Sequence, residues 1–228
     1  MGEIIEFASN GGTAQGYLAT PADGGTGPGV VVIQEWWGLV PHIKRVADRF
    51  AREGFVALAP DLYHGQTVSE PDDAAKLAMT LNMDQAAKDL SGAVDETLRR
   101  SSTDHAGVVG FCTGGGLALL VATQRPDAIA ACVPFYGAIP PRGPEPDWAA
   151  MTAAVQGHYA EDDDHAGPAV VESLQAKLGG LGKDAEFHIY PGTQHAFFND
   201  DRPEVYSEEA AAAAWARTIV FLEAKLGF

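Results

Sequence analysis

Val108-Val109-Gly110-Phe111-Cys112-Thr113-Gly114-Gly115-Gly116 passes from an apolar, β-branched stretch straight into an Ala/Leu-rich one, with glycines on both sides of a single nucleophile. This is the pattern of a nucleophile elbow. A strand turns sharply into a helix, no Cβ fits at Gly110 or Gly114, and the central side chain is pushed out at the carboxyl edge of the sheet. A helix N-terminus beneath Cys112 offers free N–H groups and a positive dipole end, and both favour a thiolate or an oxyanion. Rival glycine loops fail letter by letter. A dinucleotide fingerprint beginning at Gly110 needs glycine where Cys112 stands, and a phosphate loop needs a closing Gly-Lys-Ser/Thr that is missing. The bland alternative is a buried free cysteine whose glycines serve only helix–sheet packing.

Outward from the elbow, short β-branched runs alternate with longer helical stretches, which predicts an α/β fold with a mostly parallel sheet. Strands are expected over 29–34, 55–59, 106–110, 129–135, 153–159 and 185–190, and most lack apolar/polar alternation, as strands buried on both faces do. Segments 3–7 and 15–19 flank the turn residues Asn10-Gly11-Gly12 and predict an antiparallel hairpin at the sheet edge. Helices are expected over 41–52, 72–81, 84–100, 114–124, 166–178 and 204–226. The length of 228 residues with 46% hydrophobic side chains suits one domain over 1–228 with a substantial core.

Fifteen Lys and Arg against thirty-one Asp and Glu give a net charge of −16, and no basic stripe is present, which argues against nucleic acid as a partner. The start, MGEIIEFASN, has neither the basic leader nor the apolar core of a secretory signal, and no apolar run approaches the ~18 residues that span a bilayer. The expected setting is therefore cytoplasmic, with no membrane partner. Cys112 and Cys132 are too few for a disulfide framework.

A thiol of ordinary pKa ~8.5 needs a base nearby to attack an ester at neutral pH. Among seven histidines, His188, His105, His158 and His42 sit in or beside predicted elements and have ordinary packing or capping readings. His195 differs. It follows the strand Glu186-Phe187-His188-Ile189-Tyr190 and the turn Pro191-Gly192, on a loop at a strand's carboxyl end, where active sites of open α/β sheets form. In the chain order nucleophile, acid, histidine, a carboxylate that orients the imidazole belongs between them. The strand over 153–159 runs into Ala160-Glu161-Asp162-Asp163-Asp164-His165, and position alone does not choose among its four acids.

Gly110-Phe111-Cys112-Thr113-Gly114-Gly115, Gln34-Glu35-Trp36-Trp37-Gly38, Pro60-Asp61-Leu62-Tyr63, Phe135-Tyr136-Gly137 and Tyr190-Pro191-Gly192-Thr193-Gln194-His195-Ala196-Phe197 together resemble the dienelactone hydrolase (carboxymethylenebutenolidase) family over essentially the whole chain. The resemblance implies an α/β-hydrolase fold and a triad of Cys112, Asp163 and His195, with Asp163 chosen because the family's acid falls three residues after a small residue, here Ala160. It also implies that Glu35 sits beside the resting thiol and takes part in its activation; a carboxylate beside sulfur discourages premature thiolate formation and oxidation. Backbone N–H groups of Thr113 and Trp36 then form the oxyanion hole. Trp37, Tyr136 and His64 are candidate pocket residues.

One departure bears on substrate. The best-known family members hold a substrate carboxylate with arginine, one of them four residues after the catalytic histidine, where this chain has Asn199. The segment over 69–81 offers only Lys76 as a cation, and Arg202 or Arg142 are the geometric substitutes. The reading as a whole is a hydrolase that cleaves a small-molecule ester or enol-lactone through a cysteine thioester, with no metal or organic cofactor, as a monomer or small homo-oligomer. A broad carboxylesterase on the same site, or a binding protein that kept the fold, are its rivals.

Overall fold

A computed structural model describes residues 2–22, 24–141 and 145–228. Arg142, one of the two substitute cations, lies outside the described residues. In chain order the elements are β1 (Glu3–Ser9), β2 (Gly12–Ala19), β3 (Gly29–Ile33), α1 (Pro41–Arg52), β4 (Val56–Pro60), α2 (Pro71–Thr80), α3 (Met83–Arg100), β5 (Ala106–Phe111), α4 (Thr113–Gln124), β6 (Ile129–Phe135), β7 (Ala154–Asp162), α5 (Pro168–Gly180), β8 (Ala185–Gln194) and α6 (Glu208–Leu226).

The strands form one sheet in the order β1-β2-β4-β3-β5-β6-β7-β8. β1 pairs antiparallel with β2, and β2 antiparallel with β4, while every later pairing is parallel. Asn10 and Gly11 both take positive φ, 31° and 103°, as the tight hairpin between β1 and β2 requires. β3, β4 and β5 are buried at every position, which is why their sequences read as unbroken apolar runs. Alternate side chains feed two cores. Val30, Val32, Val109 and Phe111 pack with α1 and α6 on one face, while Val31, Ile33 and Val108 pack with α3, α4 and α5 on the other. Each such side chain taken fully out of water contributes about 1.5–3 kcal/mol. Among the described residues no helix is long and apolar enough to cross a membrane.

Several expected boundaries move by three residues or more; the end of β7, for one, runs on past residue 159 to Asp162. β8 does not stop at Tyr190: Pro191, Gly192 and Thr193 bulge, and Gln194 rejoins the ladder opposite Asp162. Gly192 takes φ +66° and its N–H donates to Glu161 Oε2 at 2.8 Å, while the Thr193 hydroxyl donates to the Tyr190 carbonyl at 2.8 Å, so the residues that look like a strand-ending turn are held within the strand. The last helix starts at Glu208 rather than residue 204. Residues 199–206 form consecutive turns instead, through Arg202 N–H to the Asn199 carbonyl and Val205 and Tyr206 N–H to the Arg202 carbonyl, and Ser207 N–H is tied to the Phe197 carbonyl. α2 is the most loosely seated helix by composition: of its ten residues only Ala74 and Leu77 are buried.

Candidate active site

The order of the sheet reverses at β3 and β5, neighbours whose chain continuations lead to opposite edges, and the crevice above such a switch point is where open α/β sheets bind ligands. Each residue named for chemistry stands just past a strand end on this side. Gln34 and Glu35 follow β3, Cys112 follows β5, Tyr136 follows β6, Asp163 follows β7 and His195 follows β8. Parallel register lines the ends up, Ile33 opposite Gly110, Phe111 opposite Phe135, Phe135 opposite His158 and Asp162 opposite Gln194.

Cys112 is held at φ 55° and ψ −120°, a conformation that L-residues adopt only when the surroundings enforce it. The enforcement comes from backbone packed too closely for side chains. A Cβ at Gly110 would collide with the Gly114 carbonyl, and one at Gly114 with the Gln34 carbonyl. The Cys112 N–H donates to the Phe135 carbonyl at 3.0 Å, and its carbonyl accepts from Gly115 N–H at 2.9 Å. The thiol is half-buried at the head of α4, with the Thr113 hydroxyl 3.9 Å from sulfur. His64, Tyr136 and Ala196 also carry positive φ, so among the described residues four of the five non-glycine residues in that region of φ lie on loops at this edge of the sheet.

His195 is anchored from behind. Phe197 and Phe198 are fully buried, and Phe198 stacks on Phe111 at 5.3 Å between ring centres, so the loop is fastened to the strand that carries Cys112. The imidazole Nδ1 lies 2.6 Å from Asp163 Oδ2. The other oxygen of Asp163 accepts from the N–H groups of His165 and Ala166 at 2.8 and 3.0 Å. Burial opposes charge on Asp163, but the bond to His195, its charge and these two amides outweigh it and hold the carboxyl below its ordinary value. Burial likewise pulls the His195 imidazole down, yet hydrogen bonding and charge from Asp163 and Cys112 win, and it is pushed up to about 10. Of the four acids at 161–164, which straddle the end of β7, Glu161, Asp162 and Asp164 are exposed, and Asp163 is the one whose side chain meets His195.

Glu35 is 2% exposed. Asn199 Nδ2 donates to its Oε2 at 2.6 Å and the Tyr136 hydroxyl to its Oε1 at 3.4 Å. Burial raises its pKa, and the charge of His42, the Asn199 bond, His195 and Tyr136 offset part of that rise. None of the described hydrogen bonds joins Glu35 to the sulfur; its oxygens are engaged by Asn199 and Tyr136 instead. His42 is itself buried, its ring edge-on to Phe111 and Phe198, with Nδ1 2.8 Å from Asp200 Oδ1. Arg45 binds the same oxygen at 2.9 Å. Neither the His42–Asp200 pair nor the grip of Asn199 is anticipated by the sequence, where His42 reads as a helix opener and Asn199 as a missing arginine.

Two cavities meet at Cys112 and His195. The larger, about 710 Å³, is walled chiefly by Trp36, Met79, Leu81, Tyr136, Ile139 and Pro140. The smaller, about 230 Å³, contains Glu35, Trp36, Trp37, Pro71, Arg202 and Val205. Trp36 lines both. Arg202 lies over the Trp37 ring, 4.7 Å from its centre, and pairs with Glu204 at 2.7 Å. His64 is not brought to this site. It lines a separate cavity with Leu62, Tyr63 and Gln85, its Nε2 3.5 Å from Asp89 Oδ2, because the Asp61 carboxylate accepts from the N–H groups of Tyr63 and Gly65 and curls the loop over α3. Asn199, at the place where the best-known family members carry a substrate-binding arginine, is buried with its amide turned to Glu35 and is not among the lining residues of either cavity. Thr113 begins α4 and Trp36 follows Glu35, so both flank the elbow. Among the described residues no group of three His, Cys, Asp or Glu side chains is arranged to hold a metal ion.

The predominantly parallel sheet, its antiparallel N-terminal pair and the elbow after β5 define an α/β hydrolase. Residues 14–226 match the dienelactone hydrolase family. The chain is 40% identical to the protein usf of Aquifex pyrophilus, the alignment covering 98% of each. It is 34% identical to a protein of Aquifex aeolicus provisionally named carboxymethylenebutenolidase, over 99% of this chain and 100% of that one. A crystal structure from Klebsiella pneumoniae, provisionally named a dienelactone hydrolase, superposes with a TM-score of 0.85 at 28% identity, covering 97% of this chain and 98% of that one. The chain belongs to the dienelactone hydrolase family, hydrolases of esters and lactones.

Proposed function

We propose that the protein is a single-domain hydrolase that cleaves an ester or enol-lactone through a covalent thioester on Cys112. The observation that carries this reading is the convergence at one sheet edge of a strained, half-buried thiol and an imidazole fixed 2.6 Å from a buried carboxylate. Proton transfer from the Cys112 thiol to His195 gives a thiolate–imidazolium pair, and the bond to Asp163 favours the charged ring. The sulfur attacks the carbonyl carbon, a C–S bond forms, and the carbonyl electron pair moves onto oxygen beside the backbone N–H groups of Thr113 and Trp36. Collapse of this adduct breaks the C–O bond, and His195 gives its proton to the departing alkoxide or enolate. Water, losing a proton to His195, then attacks the thioester; the C–S bond breaks, the acid leaves and the thiolate–imidazolium pair is restored. Asp163 holds the ring and stabilises its charge, as the third member of a triad does.

A thiolate is itself a good leaving group, so the first adduct reverts unless the substrate's own leaving group is better, which favours enol lactones and activated esters over amides. Glu35 opposes the thiolate when ionised and spares it when protonated. The test is single-turnover trapping: mass spectrometry of enzyme quenched during turnover of a p-nitrophenyl ester is expected to find the acyl mass on Cys112. An acyl group on any other residue, or burst kinetics that persist in Cys112→Ala, overturns the proposal.

A further inference from the structure

The two cavities beside Cys112 differ in chemistry as well as in size. Among the described residues, the walls of the larger hold no Lys, Arg, Asp or Glu, and their polar side chains are those of Cys112, Thr113, Tyr136, His165 and His195. Of the cations singled out in the sequence, the two among the described residues are engaged elsewhere. Lys76 on α2 is paired with Asp73 and three-quarters exposed, while Arg202 belongs to the smaller cavity, bound to Glu204 and Trp37. Among the described walls the one group favoured as a cation is His195, already bound to Asp163, so a carboxylate moved from water into this chamber finds no cation of its own to restore its lost solvation. The net charge of −16 adds a field that repels anions before they arrive. Apolar surface, by contrast, is supplied in excess of what the fold needs. Met79 is 66% exposed on a helix that buries only Ala74 and Leu77, yet its side chain, with Leu81, forms one wall of the chamber, and Ile139, Pro140 and Pro141 form another.

From this we infer that the substrate places an uncharged hydrocarbon group, alkyl or aryl, in the larger cavity, and that Met79 and Ile139 set the preference for it. The inference rests on Cys112 being the nucleophile, because that residue lies in the wall of this cavity and would place the reacting carbonyl against it. It separates this chain from enzymes that grip a free carboxylate on their substrate, and it gives α2 a role its sparse packing does not explain: covering the bound chain.

The experiment compares p-nitrophenyl acetate, butyrate and hexanoate with the p-nitrophenyl monoester of glutaric acid, using wild type, Met79→Ala, Met79→Lys, Ile139→Ala and Cys112→Ala. Full transfer of a methylene out of water corresponds to about fourfold in kcat/KM, so a rise of at least tenfold from acetate to hexanoate is expected. The glutarate monoester is expected to fall at least tenfold below the uncharged chain of similar length. Met79→Ala and Ile139→Ala should flatten the chain-length series, lowering hexanoate more than acetate. Met79→Lys, a substitution at an exposed position that the fold tolerates, should raise the glutarate monoester relative to hexanoate. A flat or falling chain series in wild type, or a glutarate monoester that matches or exceeds hexanoate, overturns the inference. Turnover that survives in Cys112→Ala overturns the thioester reading separately, since the chain-length series is read within each variant.

Discussion

Asp163 and Glu35 are carboxylates on either side of the same thiol and imidazole, and their surroundings send them in opposite directions. Asp163 receives an imidazole at 2.6 Å and two backbone amides, and it is held below the ordinary carboxylate range. Glu35 is buried with one amide, one distant hydroxyl and the charge of His42, too little to offset its lost hydration, and it is held above that range. The lesson is that burial alone does not fix a carboxyl's charge; the number and quality of donors aimed at it does. In the proposed reaction the two acids would serve different tasks, Asp163 staying ionised against the imidazolium and Glu35 changing its charge.

The sharpest way to break the contrast is to remove the ionised member. Asp163→Asn is expected to lower kcat on the order of 10³- to 10⁴-fold, read from steady-state ester hydrolysis. Asp163 also raises the imidazole, so the alkaline limb of kcat/KM, expected near pH 10 in wild type, should move to lower pH in this variant. An unmoved limb would show that His195 does not govern it.

Removing the other member should do less and do it selectively. Only the ionised form of Glu35 opposes the thiolate, so Glu35→Gln and wild type should alkylate with iodoacetamide at equal rates in acid. The variant should pull ahead severalfold as the pH passes above the titration of Glu35. A ratio independent of pH would sink the proposed control of the thiol.

Loosening the grip on Glu35 sharpens the comparison through stability. Asn199→Ala is expected to cost about 1–3 kcal/mol in chemical denaturation, since a buried acceptor loses its donor. Glu35 titrates higher in the folded chain than its ordinary value of 4.5, so folding favours its protonated form and its contribution fades as the pH rises through its folded pKa. Asn199 holds that pKa down, so the penalty in the variant should grow from acid to neutral pH; a penalty that shrinks would contradict the assignment. The smallest effect is expected from His42→Asn, which removes a charge that lowers Glu35 from outside its hydrogen-bond shell. The pH at which iodoacetamide reactivity departs from that of Glu35→Gln should move upward, with little change in kcat.

Local chemistry explains which parts of this arrangement are readable from the chain. The elbow is legible because glycine is needed at fixed offsets from Cys112 by backbone contacts only a few residues away. The hairpin and buried strands are legible for the same reason. Choosing Asp163 among four acids requires the register of Asp162 opposite Gln194, and that register depends on a bulge at Pro191 to Thr193 which reads as a turn. The bonds from Asn199 to Glu35 and from Asp200 to His42 span 164 and 158 positions, and no local pattern announces them. The loop after Asp61 misleads in the other direction: His64 stands near the correct edge, but turn bonds to Asp61 swing it over α3.

The groups assigned to chemistry are rooted on the strand ends of the sheet, whereas Ala78, Met79 and Leu81, at the end of α2, and residues 138–141, after β6, supply much of the apolar wall of the larger cavity. On the proposed reading, selectivity is borne largely by stretches of polypeptide other than those that carry the reacting groups. Transplanting residues 71–81 or 138–141 from a homologue should redirect which compounds are accepted while leaving the reacting atoms in register, a division of labour that makes this chain a workable chassis for directed evolution.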